Sequence, residues 1–449
     1  HKNFGGQLFG DATGPISIIY YQKTFPEKPI DKIAYYAPKT FIKSNVIDGL
    51  GIDSTDLKYL PREECQKPET KIWKVAMWGG MSDWELLQKL NSSTISIEEF
   101  FKKENIDYGV GFELSNPLDK PNSEIKKLPI HTPDNILKYY TPTSNYRINA
   151  EKFRRLGKIE AYKTSHILLN EGIKVNENRL SLLASFVDYK SAYSKGIVGI
   201  YSKNNDTTLL KLLTVYLNSD FIRYYAFLTT SSWGIERDVV KHKELFEAPL
   251  LIEKLDEKQV NHIVKLFDEK LYNKEFYTVN KAIENEINEI ILSCLTENEK
   301  YNIQHLLNNI ELFHKKEKSV ALYPVLQSHT KEYGEIISNE LNEFLEGQDL
   351  FVNTTVFSID KFTPLMMIKL SHDKTKNDVS LPDASIDKEL KTLDKNLWEK
   401  KAENIYFRKK LNYKTGDDIF IIRPNQRRFW SKSMAIEDAS ELILEILNE

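Results

Sequence analysis

The sequence predicts an α+β protein that is divided into several domains. The chain has 449 residues, which is enough for about two to four domains with cores of their own. Apolar runs of strand length alternate irregularly with stretches of helical periodicity, and this pattern is typical of α+β architecture. We expect four segments, with boundaries at residues 1–45, 46–255, 256–330 and 331–449.

Charge and cysteine content narrow the functional classes. The 62 Lys and Arg residues face 65 Asp and Glu residues, for a net charge of −3, so nucleic acid could be bound only through local basic patches. Cys65 and Cys294 lack neighbouring cysteines, which argues against a disulfide framework or a zinc site and favours a cytoplasmic protein. No apolar run reaches the roughly 18 residues of a membrane span, so we expect no membrane partner.

The first segment is predicted to contain two or three strands, which are too few to form a complete sheet. The second part of the run Leu8–Tyr21 and the run Ile30–Ala37 both have strand character. Two or three strands cannot bury a sheet alone. We therefore expect residues 1–45 to be the tail of a larger α/β domain, and the chain to be a fragment. We expect no signal peptide in this segment, because the charged and apolar regions of such a peptide are missing from it.

The second segment is predicted as a mixed α+β domain. The run Ile72–Gly79 is predicted as a strand that ends in a glycine turn, and Asp83 as the cap of a helix over Trp84–Leu90. The further elements expected here are a helix over Ile97–Lys103, strands over Ala161–Leu169, Leu180–Tyr189 and Ile197–Tyr201, and one apolar helix over Leu209–Leu228.

Helices dominate the third segment, and the fourth combines helices and strands. A 3.6-residue apolar period follows Pro249, and Thr296–Glu299 forms a capping box for a further helix. The elements expected in the last segment are a helix over Glu332–Leu345, strands near Val352–Phe357 and Met366–Leu370, and a closing helix over Ala435–Leu447.

The sequence carries no strong catalytic signature. It lacks the HExxH, GxSxG and P-loop motifs. The GxG within Tyr108–Phe112 follows no hydrophobic strand, which disfavours a nucleotide site. Glu389-Leu390-Lys391, with Asp383 or Asp387 upstream, resembles a nuclease metal site only loosely, because the spacing is too tight. We therefore expect no catalytic residue and no metal in this chain, and a nuclease domain within 320–449 is the weakest alternative.

Two clusters interleave basic and aromatic residues, a composition that suits nucleic-acid binding. Arg and Lys neutralise phosphates, and Arg, Asn and Gln can make bidentate contacts to base edges. The first cluster supplies Arg147, Arg154, Arg155 and Lys158, and the second supplies Arg423, Arg427, Arg428 and Lys432. The alternative for both is a solvated face, with Phe429 and Trp430 in the core.

A compact polar loop, Ser231–Asp238, follows the apolar helix. It carries a large aromatic residue, a glycine and three charges. Loops held by a rigid scaffold often carry recognition chemistry. The alternative is an ordinary helix end, in which Trp233 closes the core.

The order of these segments resembles the C-terminal half of adenine-specific DNA methyltransferases from restriction–modification and related phage-defence systems. The resemblance covers nearly the whole chain. Its residues are Phe9–Pro15, Ile72–Gly79 with Asp83, Leu217-Asn218-Ser219, the Ser231–Asp238 loop with Pro249, Thr296–Glu299 and Arg423–Trp430. The triplet Leu217-Asn218-Ser219 matches a leucine-asparagine-serine helix in the family's target recognition domain.

This resemblance implies a role for each segment. Residues 1–45 would be the last strands of a Rossmann-like methyltransferase sheet, and residues 46–255 the target recognition domain. A helical segment at 256–330 and a small C-terminal α+β domain at 331–449 would follow. Double-stranded DNA and a methyltransferase catalytic half are the implied partners.

Two motifs of the family are missing. One is the Asn/Asp-Pro-Pro-Tyr/Phe motif that holds the target amino group, and the other is the glycine-rich loop for S-adenosylmethionine. Asn116-Pro117-Leu118-Asp119 has one proline and no aromatic residue. The resemblance therefore implies that a catalytic half preceding His1 supplies methyl transfer and the cofactor. Whether this chain is itself an enzyme stays open.

Adenine methylation requires the base to leave the stack, so a recognition half must read base edges and hold the duplex. Under the resemblance, Trp233, Glu236 and Arg237 would lie near the major groove, with Arg suited to guanine and Glu to the cytosine amino group. The basic clusters would contact phosphates, or Arg427, Arg428 and Lys432 would contact the catalytic half.

A different class of protein is the main alternative: a protein–protein module that assembles a defence complex and contacts DNA little. The near-neutral charge and the acidic stretch 253–300 favour it. A steep loss of affinity with salt would indicate phosphate contacts and separate the two classes.

Overall fold

The structure, a computed structural model, describes residues 17–21, 23, 32–38, 56–117, 119–176, 179–235, 237–271, 280–310, 320–357, 365–381, 391, 395 and 411–448. The chain divides into two compact units: the first comprises His1–Trp78 and Glu297–Glu449, and the second comprises Gly79–Thr296. The four segments that the sequence indicates, with boundaries after residues 45, 255 and 330, stay a prediction. Both units combine helices with β-sheets, so the α+β class is confirmed.

The elements are numbered in chain order. The strands are β1 Lys32–Tyr36, β2 Leu57–Pro61, β3 Ile106–Val110, β4 Lys120–Pro121, β5 Ile130–His131, β6 Tyr139–Tyr140, β7 Lys152–Phe153, β8 His166–Asn176, β9 Arg179–Val187, β10 Ala192–Tyr193, β11 Ile197–Ser202, β12 Phe351–Val356, β13 Leu365–Asp373, β14 Leu411–Thr415 and β15 Asp418–Pro424. The helices are α1 Arg62–Gln66, α2 Ile72–Trp78, α3 Met81–Ser93, α4 Ile97–Lys103, α5 Ile159–Tyr162, α6 Thr207–Leu217, α7 Asp220–Thr229, α8 His242–Leu245, α9 Glu257–Leu266, α10 Lys281–Ile291, α11 Glu297–Ile310, α12 Gln327–Phe344 and α13 Lys432–Asn448.

A five-stranded sheet organises the second unit, with strand order β3-β11-β8-β9-β6. The pairs are antiparallel except for β9 with β6. Helix α6 packs on β9, while Leu168 and Leu183 belong to a core cluster formed with the irregular segment 112–162. Because both faces are covered, β9 is buried at every position from Leu180 to Val187 instead of alternating between buried and exposed residues.

The predicted single helix over Leu209–Leu228 is wrong, because the chain forms two helices, α6 and α7, that break at Asn218-Ser219. Ser219 adopts an extended conformation, and its hydroxyl accepts a hydrogen bond from the Ile222 amide at 3.3 Å. It therefore caps α7. The Asn218 side chain bonds both backbone groups of Ala184 on β9, at 3.1 and 2.7 Å. The triplet thus joins two helices to the sheet.

The predicted strand over Ile72–Gly79 is also wrong. These residues form helix α2, which buries Ile72, Val75 and Ala76 at the i, i+3, i+4 spacing of a helical face. Asp83 lies inside the following helix, where its carboxylate accepts a hydrogen bond from the Gly80 amide at 2.7 Å. Helix α3 begins three residues earlier than the sequence predicted and continues to Ser93.

Outcomes for the other elements of these segments are mixed. The predicted helix over Ile97–Lys103 is α4, and the strands over Leu180–Tyr189 and Ile197–Tyr201 are β9 and β11 within two residues. The first part of Ala161–Leu169 belongs to α5 instead of a strand. The buried strand predicted before Tyr21 is wrong over residues 17–21, which form no strand and expose Ile18 and Ile19. The rest of the run Leu8–Tyr21 lies outside the described residues.

The first unit contains a four-stranded antiparallel sheet with order β12-β13-β15-β14. Helices α12 and α13 pack together and share one core cluster with the sheet, including Tyr333, Ile368, Ile421 and Trp430. The predicted last helices and the strands over 352–357 and 366–370 are confirmed by α12, β12, β13 and α13. None of the helices that the structure describes is both long and apolar enough to cross a membrane.

Candidate nucleic-acid interface

Two carboxylates along β3 and the chain that follows it each gather several cations. Glu113 lies 2.9 Å from the Lys195 ammonium, 3.7 Å from the Arg155 guanidinium and 3.8 Å from that of Arg154. Asp107 lies 2.9 Å from Lys158 and 3.4 Å from Lys203. We call these seven residues the basic cluster: Asp107, Glu113, Arg154, Arg155, Lys158, Lys195 and Lys203.

Backbone hydrogen bonds bring three distant segments together at Glu113. The Glu113 amide donates to the Arg155 carbonyl at 2.9 Å, and the Arg154 amide donates back to the Glu113 carbonyl at 2.9 Å. The Lys195 amide donates to the Phe112 carbonyl at 2.8 Å. The position of these cations is therefore fixed by main chain, while their side chains extend outward.

The close approach of these segments explains the GxG in Tyr108–Phe112. A Cβ atom on Gly111 would lie 2.2 Å from the Tyr193 carbonyl oxygen, so only glycine fits there. The motif forms the end of strand β3 and its contact with the 193–195 turn. Its glycines are accounted for by packing.

The carboxylates of the basic cluster are ionised at neutral pH. A hydrogen bond from Lys195, with further contributions from the Ser115 hydroxyl and nearby positive charge, lowers the pKa of Glu113 to about 2. Burial alone would raise the pKa of Asp107, but hydrogen bonds from Lys158 and the Tyr108 amide outweigh it and lower the pKa. These two negative charges hold five cations in place, so the cluster keeps a surplus of positive charge.

The cations remain accessible despite their ion pairs. The side chains of Lys195 and Arg154 are 66% and 52% exposed. Exposed ion pairs of this kind contribute only about 0–1 kcal/mol each. The cations can therefore exchange a carboxylate for an external phosphate at little cost.

The Ser231–Asp238 loop joins the same region through β8. A register shift between Asn170 and Lys174 marks a bulge in that strand. Within the bulge, the Glu171 amide donates to Gly196, next to Lys195, while its carbonyl accepts from Val240 just beyond the loop, at 3.0 and 2.8 Å. The loop's exit and the Lys195 turn are thus neighbours on one strand.

Glu171 also forms a side-chain hydrogen bond in the bulge. Its carboxylate lies 2.6 Å from Nδ1 of His242. Burial would raise the pKa of Glu171, but the hydrogen bonds with His242 and the positive charge of Arg155 outweigh it and lower the pKa. Arg155 is therefore placed between the Glu113 and Glu171 carboxylates.

The structure brings together three of the four residues in the first predicted basic cluster. Arg154, Arg155 and Lys158 belong to the basic cluster, whereas Arg147 donates to the carbonyls of Ser144 and Tyr146 at 2.7 and 3.1 Å. Lys195 and Lys203 were not predicted. Each is isolated from other cations in the sequence. The glycine at position 196 is a local sign of a tight turn at Lys195, and in the structure this glycine has a positive φ of 93°.

The predicted position of Trp233 near a DNA groove is wrong, because this side chain is buried. Its side chain is 0% exposed and packs edge-to-face on Phe227, with ring centroids 5.2 Å apart. The alternative, in which Trp233 closes the core, is confirmed. Arg237 is exposed in the same loop, and Glu236 lies outside the described residues.

The predicted DNA contact of Arg423 is also wrong, because its side chain is only 1% exposed. Its guanidinium forms an ion pair with the buried Asp438, which also accepts a hydrogen bond from the Tyr333 hydroxyl. This network ties β15 to α12 and α13. The core position expected for Trp430 in the alternative interpretation is confirmed, since it is 2% exposed.

The other cations of the C-terminal cluster make local contacts. Arg427 donates to the Pro324 carbonyl at 3.3 Å, and Arg428 lies 4.6 Å above the Phe429 ring. Burial lowers the pKa of Arg428 to about 10. Lys432 lies 3.5 Å from Glu332. Each is partly exposed, and a role of these three cations in DNA binding stays a prediction.

Among the described residues, no group of three or more His, Cys, Asp and Glu side chains is arranged to hold a metal ion. The nuclease-like residues Asp383, Asp387 and Glu389 lie outside the described residues. No protein-family model matches the chain, and no curated protein sequence matches it. Function must therefore be inferred from the basic cluster together with the sequence motifs.

Proposed function

We propose that this chain is the DNA target recognition part of an S-adenosylmethionine-dependent, adenine-specific DNA methyltransferase from a restriction–modification or related defence system. One observation carries the DNA-binding part of this proposal: five accessible cations gather around two carboxylates in the second unit. The sequence motifs that resemble the methyltransferase family support the rest.

In this proposal the basic cluster binds the DNA backbone. Without DNA, Glu113 and Asp107 keep the cations close to one another despite their mutual repulsion. When a duplex arrives, Arg154, Arg155 and Lys195 turn to phosphate oxygens, and the release of counterions from DNA drives binding. Guanidinium groups suit phosphate because they donate two parallel hydrogen bonds.

The proposal assigns reading of the sequence to the exposed end of the Ser231–Asp238 loop. Arg237 has the donor geometry that recognises guanine in the major groove. The catalytic half, with S-adenosylmethionine, would take the flipped adenine, and residues 1–45 would be the remnant of its Rossmann-like sheet. In this proposal the chain is divided into several domains.

Salt-dependent duplex binding tests the proposal. We expect the affinity of the full chain to fall steeply with salt, and Arg154→Gln and Lys195→Gln each to reduce the log–log slope by about one. Lys102→Gln is the matched control, because Lys102 is 73% exposed on α4 and its one ion pair among the described residues is with Glu98 of the same helix. An unchanged slope in both cluster variants would show that the cluster does not contact DNA.

Selection from a random-sequence duplex pool tests the finer claim. A recognition part should enrich a short motif that contains adenine, and Arg237→Ala should relax specificity at one base pair by about 1–3 kcal/mol. If the wild type and the variant enrich the same motif to the same extent, Arg237 does not read a base.

A second candidate is a protein–protein module that assembles a defence complex. The last turn of α13 favours it, because Ile446 and Leu447 are 50% and 64% exposed. Such a module predicts no salt-dependent duplex binding, together with complex formation that fails when both residues are changed to Ser.

A further inference from the structure

A polar cavity of about 110 Å³ lies in the second unit, at the junction of α6 and α7. It is distinct from the basic cluster, with which it shares no residue. Its wall contains more cations than anions. The charged side chains that line it are Lys138, Arg179, Arg223, Lys281, Asp220 and Glu284.

The anionic side chains do not compensate this positive charge. Glu284 is already engaged, because it forms an ion pair with Lys138 and accepts a hydrogen bond from the Tyr139 hydroxyl at 2.8 Å. Asp220 is a single carboxylate in the first turn of α7. Arg179 and Lys281 make no ion pair among the residues that the structure describes.

The remaining wall is held in place by its own hydrogen bonds. Asn288 accepts from the Asp220 amide at 2.9 Å, and Ser219 accepts from the Ile222 amide. The amides of Asp220 and Ile222 at the start of α7 are therefore used within the protein, and Arg179 and Lys281 are the cations that can bind a ligand. Arg223 is 7% exposed, and its Nε donates to the Leu180 carbonyl at 2.6 Å, which fixes this cation in the wall.

We propose that this cavity binds one phosphate group, either as inorganic phosphate or as the phosphate of a nucleotide. Cations that face one cavity repel each other, and an anion placed between them converts that repulsion into attraction. Arg179 offers paired donors with the geometry of phosphate oxygens, and Lys281 offers a compact charge. A volume of about 110 Å³ suits a single tetrahedral group and is too small for a duplex.

This site is independent of the proposed DNA recognition, because the residues that bind the duplex backbone lie outside the cavity. The α6–α7 junction would then have two roles. Asn218 bonds it to the sheet and Ser219 caps α7, while the cations around the junction bind a ligand.

Calorimetric titration of the full chain with inorganic phosphate at low salt tests the proposal. We expect saturable binding at one site, weakened about tenfold or more by Arg179→Gln and by Lys281→Gln, since each substitution removes a charged hydrogen-bond donor to the phosphate. Lys102→Gln is again the matched control and should leave phosphate binding unchanged. Thermal unfolding of each variant checks that the fold is retained.

Short oligonucleotides with and without a 5′-phosphate identify the source of the ligand. A preference for the phosphorylated form that disappears in Lys281→Gln would assign the site to nucleic-acid ends, and equal binding would assign it to free phosphate. The absence of saturable phosphate binding, or equal weakening by all three substitutions, would overturn the proposal. The duplex salt slope should not change in Arg179→Gln or Lys281→Gln, so this result is separable from that of the basic cluster.

Discussion

Cationic side chains of this protein occupy two different electrostatic settings, and the setting decides what each can do. Arg423 is enclosed with Asp438, whereas Arg154 and Lys195 share Glu113 at the surface. A buried pair is strongly coupled to the fold, because either partner left alone would be an uncompensated charge in a medium of low dielectric. An exposed pair is weak and can exchange its partner.

Removing the partner of Arg423 should therefore destabilise the first unit. We expect Asp438→Asn to lower the free energy of unfolding by about 3 kcal/mol, because Arg423 would keep its charge without a counterion. Urea denaturation measures the change. The double variant Arg423→Met/Asp438→Leu should recover most of it, and a double variant as unstable as the single one would show that lost packing, not charge, is responsible.

Buried histidines should make the second unit sensitive to acid. His166, at the start of β8, is 0% exposed. Its Nδ1 lies 2.8 Å from the Thr164 carbonyl and its Nε2 lies 3.1 Å from the Ser191 hydroxyl. Burial lowers its pKa to about 4, against about 6.5 in an unfolded chain. The unfolded state therefore binds the proton first as the pH falls.

The stability that depends on neutral His166 is complete above pH 6.5 and is lost as the pH falls towards 4. The slope is at most about 1.4 kcal/mol per pH unit. Denaturation at a series of pH values should show this loss, and His166→Gln should reduce it. His262→Gln is the control, since His262 is exposed and pairs with Glu286. An identical pH profile in wild type and His166→Gln would contradict the prediction.

At the scale of elements, sequence periodicity predicted several of the longer helices and strands but missed features that depend on distant partners. The break between α6 and α7 is an example, because Asn218 obtains its partners from Ala184 on β9, 34 residues away. An apolar helical pattern continues through that break. Likewise, Ile72–Trp78 is apolar enough for either a strand or a helix, and tertiary packing decides the outcome.

The site was predictable to the extent that its residues are adjacent in sequence. Arg154, Arg155 and Lys158 were found as a basic run. Lys195 meets Glu113 only because the 193–195 turn is bonded to the end of β3, and 82 residues separate the two. Trp233 was wrongly predicted as a site residue, because the polar loop around it gives no local sign that the aromatic ring is buried.

The junction of α6 and α7 should be stabilised more by Asn218 than by Ser219. We expect Asn218→Ala to cost about 2 kcal/mol or more, because buried backbone groups of β9 lose their partner. Ser219→Ala should cost about 1 kcal/mol, the usual contribution of a helix cap. Denaturant midpoints of the two variants measure the difference. Equal losses would indicate that Asn218 acts only as part of the helix end.

At the scale of the whole molecule, the second unit is continuous in sequence from Gly79 to Thr296, while the first unit is assembled from two stretches. The second unit contains the five-stranded sheet, its own core cluster and the whole basic cluster. A sheet and a core cluster within one continuous stretch of chain are what an autonomous domain requires.

Residues 79–296 expressed alone should therefore fold and keep duplex binding. We expect a cooperative thermal transition by circular dichroism and a salt slope for DNA within about one unit of that of the full chain, because the phosphate contacts are retained. Adding Lys195→Gln to the isolated unit should lower the slope as it does in the full chain. A cooperative transition without salt-dependent DNA binding would show that the first unit supplies the phosphate contacts. Arg427, Arg428 and Lys432 would then be the cations to substitute next.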